Sequence, residues 1–176
     1  MDPPLPRLTY AGLVRIAYGA DDDNETTRAV LDYLSGLGEV VRVGADRPWP
    51  QIGAAVGQAV TGGDADLGVV MCWTGTGTAI AANKVPGVRA ALAWEPWIAA
   101  GARKWNDANV LAMSLKRLAP DVAVEVARAF FETAEPDPDE AANIALLAAL
   151  DHDQPPAAVD QGVCARVGRR VRPQGP

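Results

Sequence analysis

The sequence predicts an α/β fold built on a doubly wound parallel sheet. Short apolar segments alternate along the chain with segments of helical periodicity, which is the pattern of right-handed strand–helix–strand crossovers. Leu67–Cys72 (LGVVMC) is a continuous apolar run, typical of a strand that helices cover on both faces. The 176 residues suit one domain that is long enough to bury a sizeable core.

The predicted elements follow one another in a regular order. Segments rich in β-formers predict strands over residues 13–18, 40–43, 67–72, 88–92 and 110–113. Apolar residues at helical spacing predict helices over residues 28–37, 52–60, 78–84, 98–105, 122–133 and 139–150. Gly38 suits the end of the first helix, and Gly62, Gly63 and Asp64 form a turn after the second. In such a sheet, ligands bind beyond the carboxyl ends of the strands.

The ends of the chain differ in composition from its middle. We expect an N-terminal extension over residues 1–10, the α/β domain over 11–150, and a polar, Pro- and Gly-rich, disordered tail over 151–176. The first residues lack the features of a secretory signal, and no apolar run reaches the length of a membrane helix. Two cysteines, Cys72 and Cys164, cannot form a disulfide framework, so a cytoplasmic protein is expected.

Charge and histidine content exclude two further classes. The formal net charge is −6 and lysine occurs only three times, so a concentrated basic face for nucleic acid is not expected. The single histidine, His152, excludes a multi-histidine metal site.

A glycine-rich stretch, CWTGTGT, joins the strand ending at Cys72 to the next helix. Gly75 and Gly77 would allow backbone N–H groups to converge on an anion, but a tight turn needs the same glycines. The dinucleotide and phosphate-loop motifs are both absent. Cys72 itself is either a thiol activated beside a helix N-terminus or a buried apolar residue of the strand.

Two polar segments each allow two interpretations, ligand binding or a structural role at a helix end. Asp21, Asp22 and Asp23 follow the first strand and suit either sugar or cation binding or a turn with a helix N-cap. Residues 104–109 (KWNDAN) place amides and a carboxylate between a helix and a strand, where they could bind a ligand or cap the helix.

With these residues assembled, the chain resembles the ribose 5-phosphate isomerase B family, which includes the galactose 6-phosphate isomerase subunits. The resemblance covers residues 14–131 and is strongest in CWTGTGTAIAANKVPGVRAAL and WNDANVLA. It implies a Rossmann-like three-layer α/β/α sandwich with a mostly parallel five-stranded sheet. It also implies a homodimer or tetramer with active sites shared between subunits, and aldose–ketose isomerisation through a cis-enediolate, without metal or organic cofactor.

The resemblance also assigns roles to individual residues. Cys72 aligns with the base of one branch of the family, whereas the base of the other branch, a Glu, would fall at Thr78. Thr74 matches the hydroxyl that assists ring opening, Asp21 the acid that binds the sugar, and Asn106 the amide near the reacting oxygens. Gly75, Thr76 and Gly77 match the loop whose amides hold the oxyanion.

Four departures concern substrate binding. Asp22 and Trp105 replace histidines that contact phosphate and open the ring, and Lys116 replaces an arginine. Residues 138–143 (PDEAAN) lack the basic residues of the family. Carboxylates facing a phosphate would repel it, so weak ribose 5-phosphate turnover and preference for neutral or cationic sugars are expected.

The remaining aromatic residues and the alternative functions stay open. Trp73, Trp94, Trp97 and Trp105 are expected around the mouth of the site, where they would stack on a sugar, fill the core or contact a second subunit. The leading hypothesis is an isomerase that uses Cys72 as base. The alternatives are a non-catalytic subunit of an isomerase complex and an enzyme acting on a non-phosphorylated carbonyl compound.

Overall fold

All five predicted strands pair in one sheet in the computed structural model, which describes residues 13–44 and 46–151. The strands are β1 (Val14–Ala20), β2 (Gly38–Arg42), β3 (Leu67–Cys72), β4 (Ala90–Leu92) and β5 (Val110–Ser114). Their order across the sheet is β2-β1-β3-β5-β4, and every neighbouring pair is parallel. The predicted parallel α/β sheet is therefore confirmed.

Helices cover both faces of this sheet. They are α1 (Glu25–Leu37), α2 (Trp49–Thr61), α3 (Thr76–Ala82), α4 (Pro96–Asn106), α5 (Pro120–Glu132) and α6 (Ala141–Ala149). Helix α5 packs between α1 and α4 on one face, and α2 packs against α3 on the other. This arrangement is the Rossmann-like α/β/α sandwich that the resemblance implies.

Two apolar clusters hold the layers together. The larger one joins Ile16, Leu34 and Leu111 to Phe130 and Phe131, all of them buried, between the sheet and the layer formed by α1, α4 and α5. The smaller one packs small and β-branched side chains of β1, β3 and β5 against α2 and α3. Because both faces of the sheet are covered, β3 and β5 are buried along their whole length.

The last helix forms within the predicted range of residues 139–150, but it is exposed. Its first turn is a 3-10 turn over Pro138–Glu140, and α6 follows with no buried residue. Leu146, Leu147 and Leu150 are exposed although the helix is strongly apolar. The predicted extension 1–10, His152 and Cys164 lie outside the described residues. Among those described, no helix has the length and apolar character needed to cross a membrane.

Candidate active site

A cleft of about 470 Å³ opens over the carboxyl ends of β1 and β2. Its walls are the end of β1, the first turns of α1, the end of β2 and the loop that leads to α2. The residues that line it are Tyr18, Gly19, Ala20, Asp21, Asp22, Asp23, Thr27, Arg28, Leu31, Arg42, Val43, Asp46, Arg47 and Ile52. The chain changes direction across the sheet between β1 and β3, next to this cleft, and open α/β sheets bind ligands at such a point.

The polar residues after β1 have two roles: some of them hold the start of α1, and others face the cleft. Asn24, rather than an aspartate, caps α1: its side chain accepts a hydrogen bond from Thr27 N at 3.0 Å, and the Thr27 hydroxyl accepts one from Asn24 N at 2.8 Å. Asp23 pairs with Arg28 at 2.9 Å. Asp21 and Asp22 are exposed and remain available to a ligand.

A backbone hydrogen bond holds Asp21 beside β3, the neighbouring strand of the sheet. Its N–H donates to Met71 O at 3.2 Å, which extends the β1–β3 ladder by one residue and brings Asp21 alongside Cys72. Partial burial raises the pKa of the Asp21 carboxyl, and the negative charge of Asp22 raises it further. At the base of the cleft, burial raises the pKa of Tyr18 to about 12, so its hydroxyl stays protonated at neutral pH.

Cys72 is buried at the last position of β3. Its Sγ accepts a hydrogen bond from the Thr78 hydroxyl at 3.4 Å, and the same hydroxyl also lies 3.3 Å from Gly75 O. Thr78 is fully buried. Thr78 therefore contacts the Cys72 thiol. The resemblance places the glutamate base of one branch of the family at Thr78 and the cysteine base of the other branch at Cys72.

The glycine-rich loop turns sharply between Cys72 and α3. Gly75 has a φ of +77°, and its N–H donates to Cys72 O at 3.1 Å. The Thr74 and Thr76 hydroxyls lie 2.6 Å apart on the exposed side. The predicted need for glycine in the turn is thus confirmed at Gly75. Anion binding by this loop stays a prediction.

Lys116 and Trp73 lie together at the carboxyl edge of the sheet. Lys116 Nζ is 5.1 Å from the centre of the Trp73 ring, within the range of a cation–π contact. The Ser114 hydroxyl, at the end of β5, donates to the Trp73 carbonyl, and Leu115 N donates to Cys72 O at 3.0 Å. Neither Lys116 nor Trp73 lines the cleft beside Asp21.

The structure does not bring Trp105 and Asn106 to Cys72 within one chain. Both end α4, which runs back from the carboxyl edge of β4 to the amino edge of β5. Because β5 is five residues long and a strand rises about 3.3 Å per residue, its two ends lie about 13 Å apart. The acidic turn of Asp139 and Glu140 lies near the same edge, since Asp137 N donates to Lys104 O at 2.7 Å.

The expectation that four tryptophans surround the mouth is not met at this cleft, because none of them lines it. Trp94 and Trp97 follow β4, which is the far edge strand, three positions from β1. The Trp105 ring lies over Gly101 and meets Trp97 edge to face, with ring centres 5.5 Å apart. Trp94 and Trp97 are both more than half exposed.

Three residues that the sequence analysis missed contribute to the region. Arg42 and Arg47 line the cleft from the β2 side. The Trp49 ring covers Gly77, where an added Cβ would lie 3.0 Å from it. A signal for the arginines existed: Arg42 lies within the predicted strand 40–43 and Arg47 follows it, and ligands bind beyond the carboxyl ends of strands.

The two asparagine motifs that carry the family resemblance hold one segment of backbone. Asn83 exchanges hydrogen bonds of 2.8 Å with the N–H and C=O of Ala90. Asn109 accepts from Arg89 N and donates to Gly87 O, both at 2.8 Å. We call this arrangement the asparagine clamp. It fixes the start of β4 and makes no contact with Cys72.

Across residues 13–44 and 46–151, no group of three or more His, Cys, Asp or Glu side chains is placed to hold a metal ion.

Comparison with known proteins identifies relatives across most of the domain. A family profile described as Ribose/Galactose Isomerase matches residues 16–146. The putative sugar phosphate isomerase YwlF of Bacillus subtilis is 39% identical over 85 residues, which cover 48% of this chain and 57% of that protein. D-erythrulose-4-phosphate isomerase of Pectobacterium atrosepticum is 32% identical over 127 residues, which cover 68% and 84% of the two chains. The matched stretch thus spans little more than half of the first relative.

Solved structures share the fold. Ribose-5-phosphate isomerase B of Clostridium thermocellum superposes with a TM-score of 0.71 at 30% identity, covering 78% of this chain and 97% of that chain. The Mycoplasma genitalium enzyme of the same name, solved with bound ribulose-5-phosphate, gives a TM-score of 0.70 at 26% identity, covering 80% and 97%.

Proposed function

We propose that this chain, which belongs to the ribose/galactose isomerase family, is an aldose–ketose isomerase whose substrate differs from ribose 5-phosphate. The observation that carries the proposal is the position of Cys72. Its buried thiol ends β3 next to Asp21, at the point where the chain changes direction across the sheet, and directly before the glycine-rich loop.

In this mechanism the Cys72 thiolate removes a proton from the carbon next to the substrate carbonyl. The resulting cis-enediolate takes a proton back at the neighbouring carbon, so the carbonyl moves by one position and no net oxidation occurs. Thr74 assists ring opening, and Asp21 accepts hydrogen bonds from sugar hydroxyls. The amides of Gly75, Thr76 and Gly77 stabilise the enediolate oxygen. The Thr78 hydroxyl supports this chemistry, because it donates a hydrogen bond to the thiolate.

Two positions support a change of substrate. Asp22 lines the cleft where the family pattern has a phosphate-contacting histidine. Trp105 stands where the family has the ring-opening histidine, so the general acid–base group at that position is missing, and such a group typically contributes about 10²–10⁴-fold to the rate.

The test of the proposal is proton exchange at the reacting carbons. Phosphorylated aldoses, unphosphorylated aldoses and α-hydroxy ketones are incubated with the protein in D₂O. We expect one of these classes to take up deuterium next to its carbonyl and to yield the isomeric ketose or aldose. Ribose 5-phosphate should react weakly. Efficient turnover of ribose 5-phosphate would contradict the altered substrate, and absence of exchange from all three classes would contradict the isomerase.

We further propose a homodimer or tetramer in which a second copy completes each site. Asn106, Trp105 and Lys104 lie at the opposite edge of the sheet from Cys72, so they reach a thiol only on another subunit. Exposed apolar side chains of Trp97, Leu146 and Leu150 supply surface for such an interface.

Subunit complementation tests this sharing. Cys72→Ala and Asn106→Ala homodimers should each be nearly inactive. When the two chains are coexpressed, each mixed dimer has one intact site, so activity should return to about a quarter of the wild-type value by random pairing. Activity no higher than that of the separate variants, or a monomer in sedimentation, would show that the sites are not shared.

A non-catalytic subunit of an isomerase complex is the second candidate. The missing histidine at Trp105 and the missing basic residues of 138–143 favour it. Copurification of a stoichiometric second isomerase-like chain from the native cell would support this role, whereas a pure homo-oligomer would not.

A further inference from the structure

Two arginines that line the cleft lack a side-chain partner among the described residues. Arg42 ends β2 and Arg47 lies in the loop between β2 and α2. Among the interactions of residues 13–44 and 46–151, neither guanidinium forms an ion pair or a side-chain hydrogen bond. The third arginine of the cleft, Arg28, is already bound to both carboxylate oxygens of Asp23, at 2.9 and 3.2 Å. Within the part of the chain that the structure describes, two cationic side chains therefore line the cleft without a bound carboxylate.

Two contacts of described residues lie close to Arg47. Gly44 has a φ of +73°, and an added Cβ there would lie 3.0 Å from Ile52 Cα, so the backbone packs directly on α2. Arg47 N then donates to Gly44 O at 3.1 Å, which closes a turn. Arg47 lines the same cleft as Arg42.

The cleft is thus polarised along the sheet. Asp21 and Asp22 lie at the end of β1, the central strand of the three, whereas Arg42 and Arg47 lie at β2 on one side. Cys72 ends β3 on the other side and is not among the residues that line the cleft. Neighbouring strands are about 4.8 Å apart, so the thiol and the arginines are separated by about 10 Å across the sheet. That distance suits a short extended polyol whose reacting carbons and terminal group lie at opposite ends.

We propose that Arg42 and Arg47 bind the terminal phosphate of the substrate, with Asp21 and Asp22 accepting hydrogen bonds from the hydroxyls between it and the reacting carbons. One guanidinium group can donate two parallel hydrogen bonds to two oxygens of a phosphate, which orients the phosphate as well as attracting it. The inference rests on the proposed function for the position of the reacting carbons. It replaces the neutral or cationic substrate that the sequence alone suggested, because that argument did not include these two arginines. They lie at the β2 side of the cleft, where Asp46 is the carboxylate that opposes them.

Calorimetric titration of the full-length Cys72→Ala protein tests the site without turnover. The probes are ribose 5-phosphate and unphosphorylated ribose, with inorganic phosphate as competitor. We expect ribose 5-phosphate to bind more tightly than ribose and to be displaced by phosphate. Adding Arg42→Gln and Arg47→Gln should weaken ribose 5-phosphate binding by about 10- to 100-fold and leave ribose binding unchanged. Asp46→Asn, which removes a carboxylate from the same loop, should strengthen it.

The matched control is Arg128→Gln, an exposed arginine of α5 that lies over the Tyr33 ring, away from the cleft. Thermal melting of every variant checks folding. The proposal is wrong if the double variant binds ribose 5-phosphate as tightly as its parent, if Arg128→Gln loses as much affinity, or if the parent shows no preference for the phosphorylated sugar. Arginine-dependent phosphate binding in a wild-type protein that catalyses no deuterium exchange would support the anion site and reject the isomerase.

Discussion

Replacing Cys72 by Ala is expected to lower kcat by about 10²–10⁴-fold, the usual contribution of a general base. The thiol is buried at the end of β3, and the side chain that hydrogen-bonds to it among the described residues is Thr78, which is not a base. Removal of one sulfur atom from the core leaves a small cavity and should cost only about 1 kcal/mol of stability. The measurement is deuterium uptake and turnover with the substrate identified by the exchange screen.

Two further variants sharpen this result. Cys164→Ala is the matched control, because it removes the other thiol of the chain, and it should retain full activity. Thr78→Val keeps the side-chain shape but loses the hydrogen bond to Cys72, so kcat should fall about 10- to 100-fold at unchanged KM. Thr78→Ser should recover most of the rate. A Cys72→Ala enzyme with wild-type turnover would rule out the thiol as the base.

Replacing Gly75 by Ala is expected to damage both the fold and the active site. At a φ of +77° an alanine is strained, and its Cβ would lie 2.6 Å from Leu92 Cδ1 and 2.8 Å from the Met113 carbonyl carbon. The leucine side chain can rotate away, but Met113 belongs to the buried strand β5 and cannot. The combined strain and overpacking should lower the free energy of unfolding by roughly 2–4 kcal/mol.

The same substitution should also displace the loop between Cys72 and α3, so the variant should lose turnover under conditions where it is still folded. Urea denaturation and activity, measured side by side, separate the two effects. Gly36→Ala is the control: Gly36 lies in α1 with no atom within 4 Å of an added Cβ, and alanine there should stabilise the protein by about 0.5–1 kcal/mol. Equal stability of Gly75→Ala and wild type would show that the loop can relax.

Most of the fold could be predicted because its signals are local. The apolar run of Leu67–Cys72 and the helical spacing between residues 28 and 37 depend on neighbours in the chain, and both elements formed where expected. Residues 139–150 contain the predicted helix, but its exposure was not predicted, and this has a physical reason. Their apolar periodicity predicts a helix but not a partner for it, and α6 has no buried residue in the single chain.

The site was less predictable, because proximity across a sheet depends on strand order and direction. Asp21 and Cys72 come together since β1 and β3 are neighbours and both end at the carboxyl edge. Asn106 was assigned to the same site from the family motifs. Helix α4 runs antiparallel to the strands, however, and places Asn106 at the amino ends of the strands. Arg42 and Arg47 were missed because they belong to no motif, and only the β2-β1 pairing places them beside the acidic residues.

The asparagine clamp has a consequence for how members of this family diverge. Asn83 and Asn109 tie down backbone at the start of β4, and their hydrogen bonds do not involve the thiol, the acidic residues or the arginines of the cleft. Asn83 and Asn109 therefore preserve the architecture within segments that also carry Cys72 and Asn106, the residues proposed for catalysis. Substitutions of Asp22, Arg42 or Arg47 would leave the hydrogen bonds of the clamp in place, so the cleft can take a different substrate while the start of β4 keeps its position.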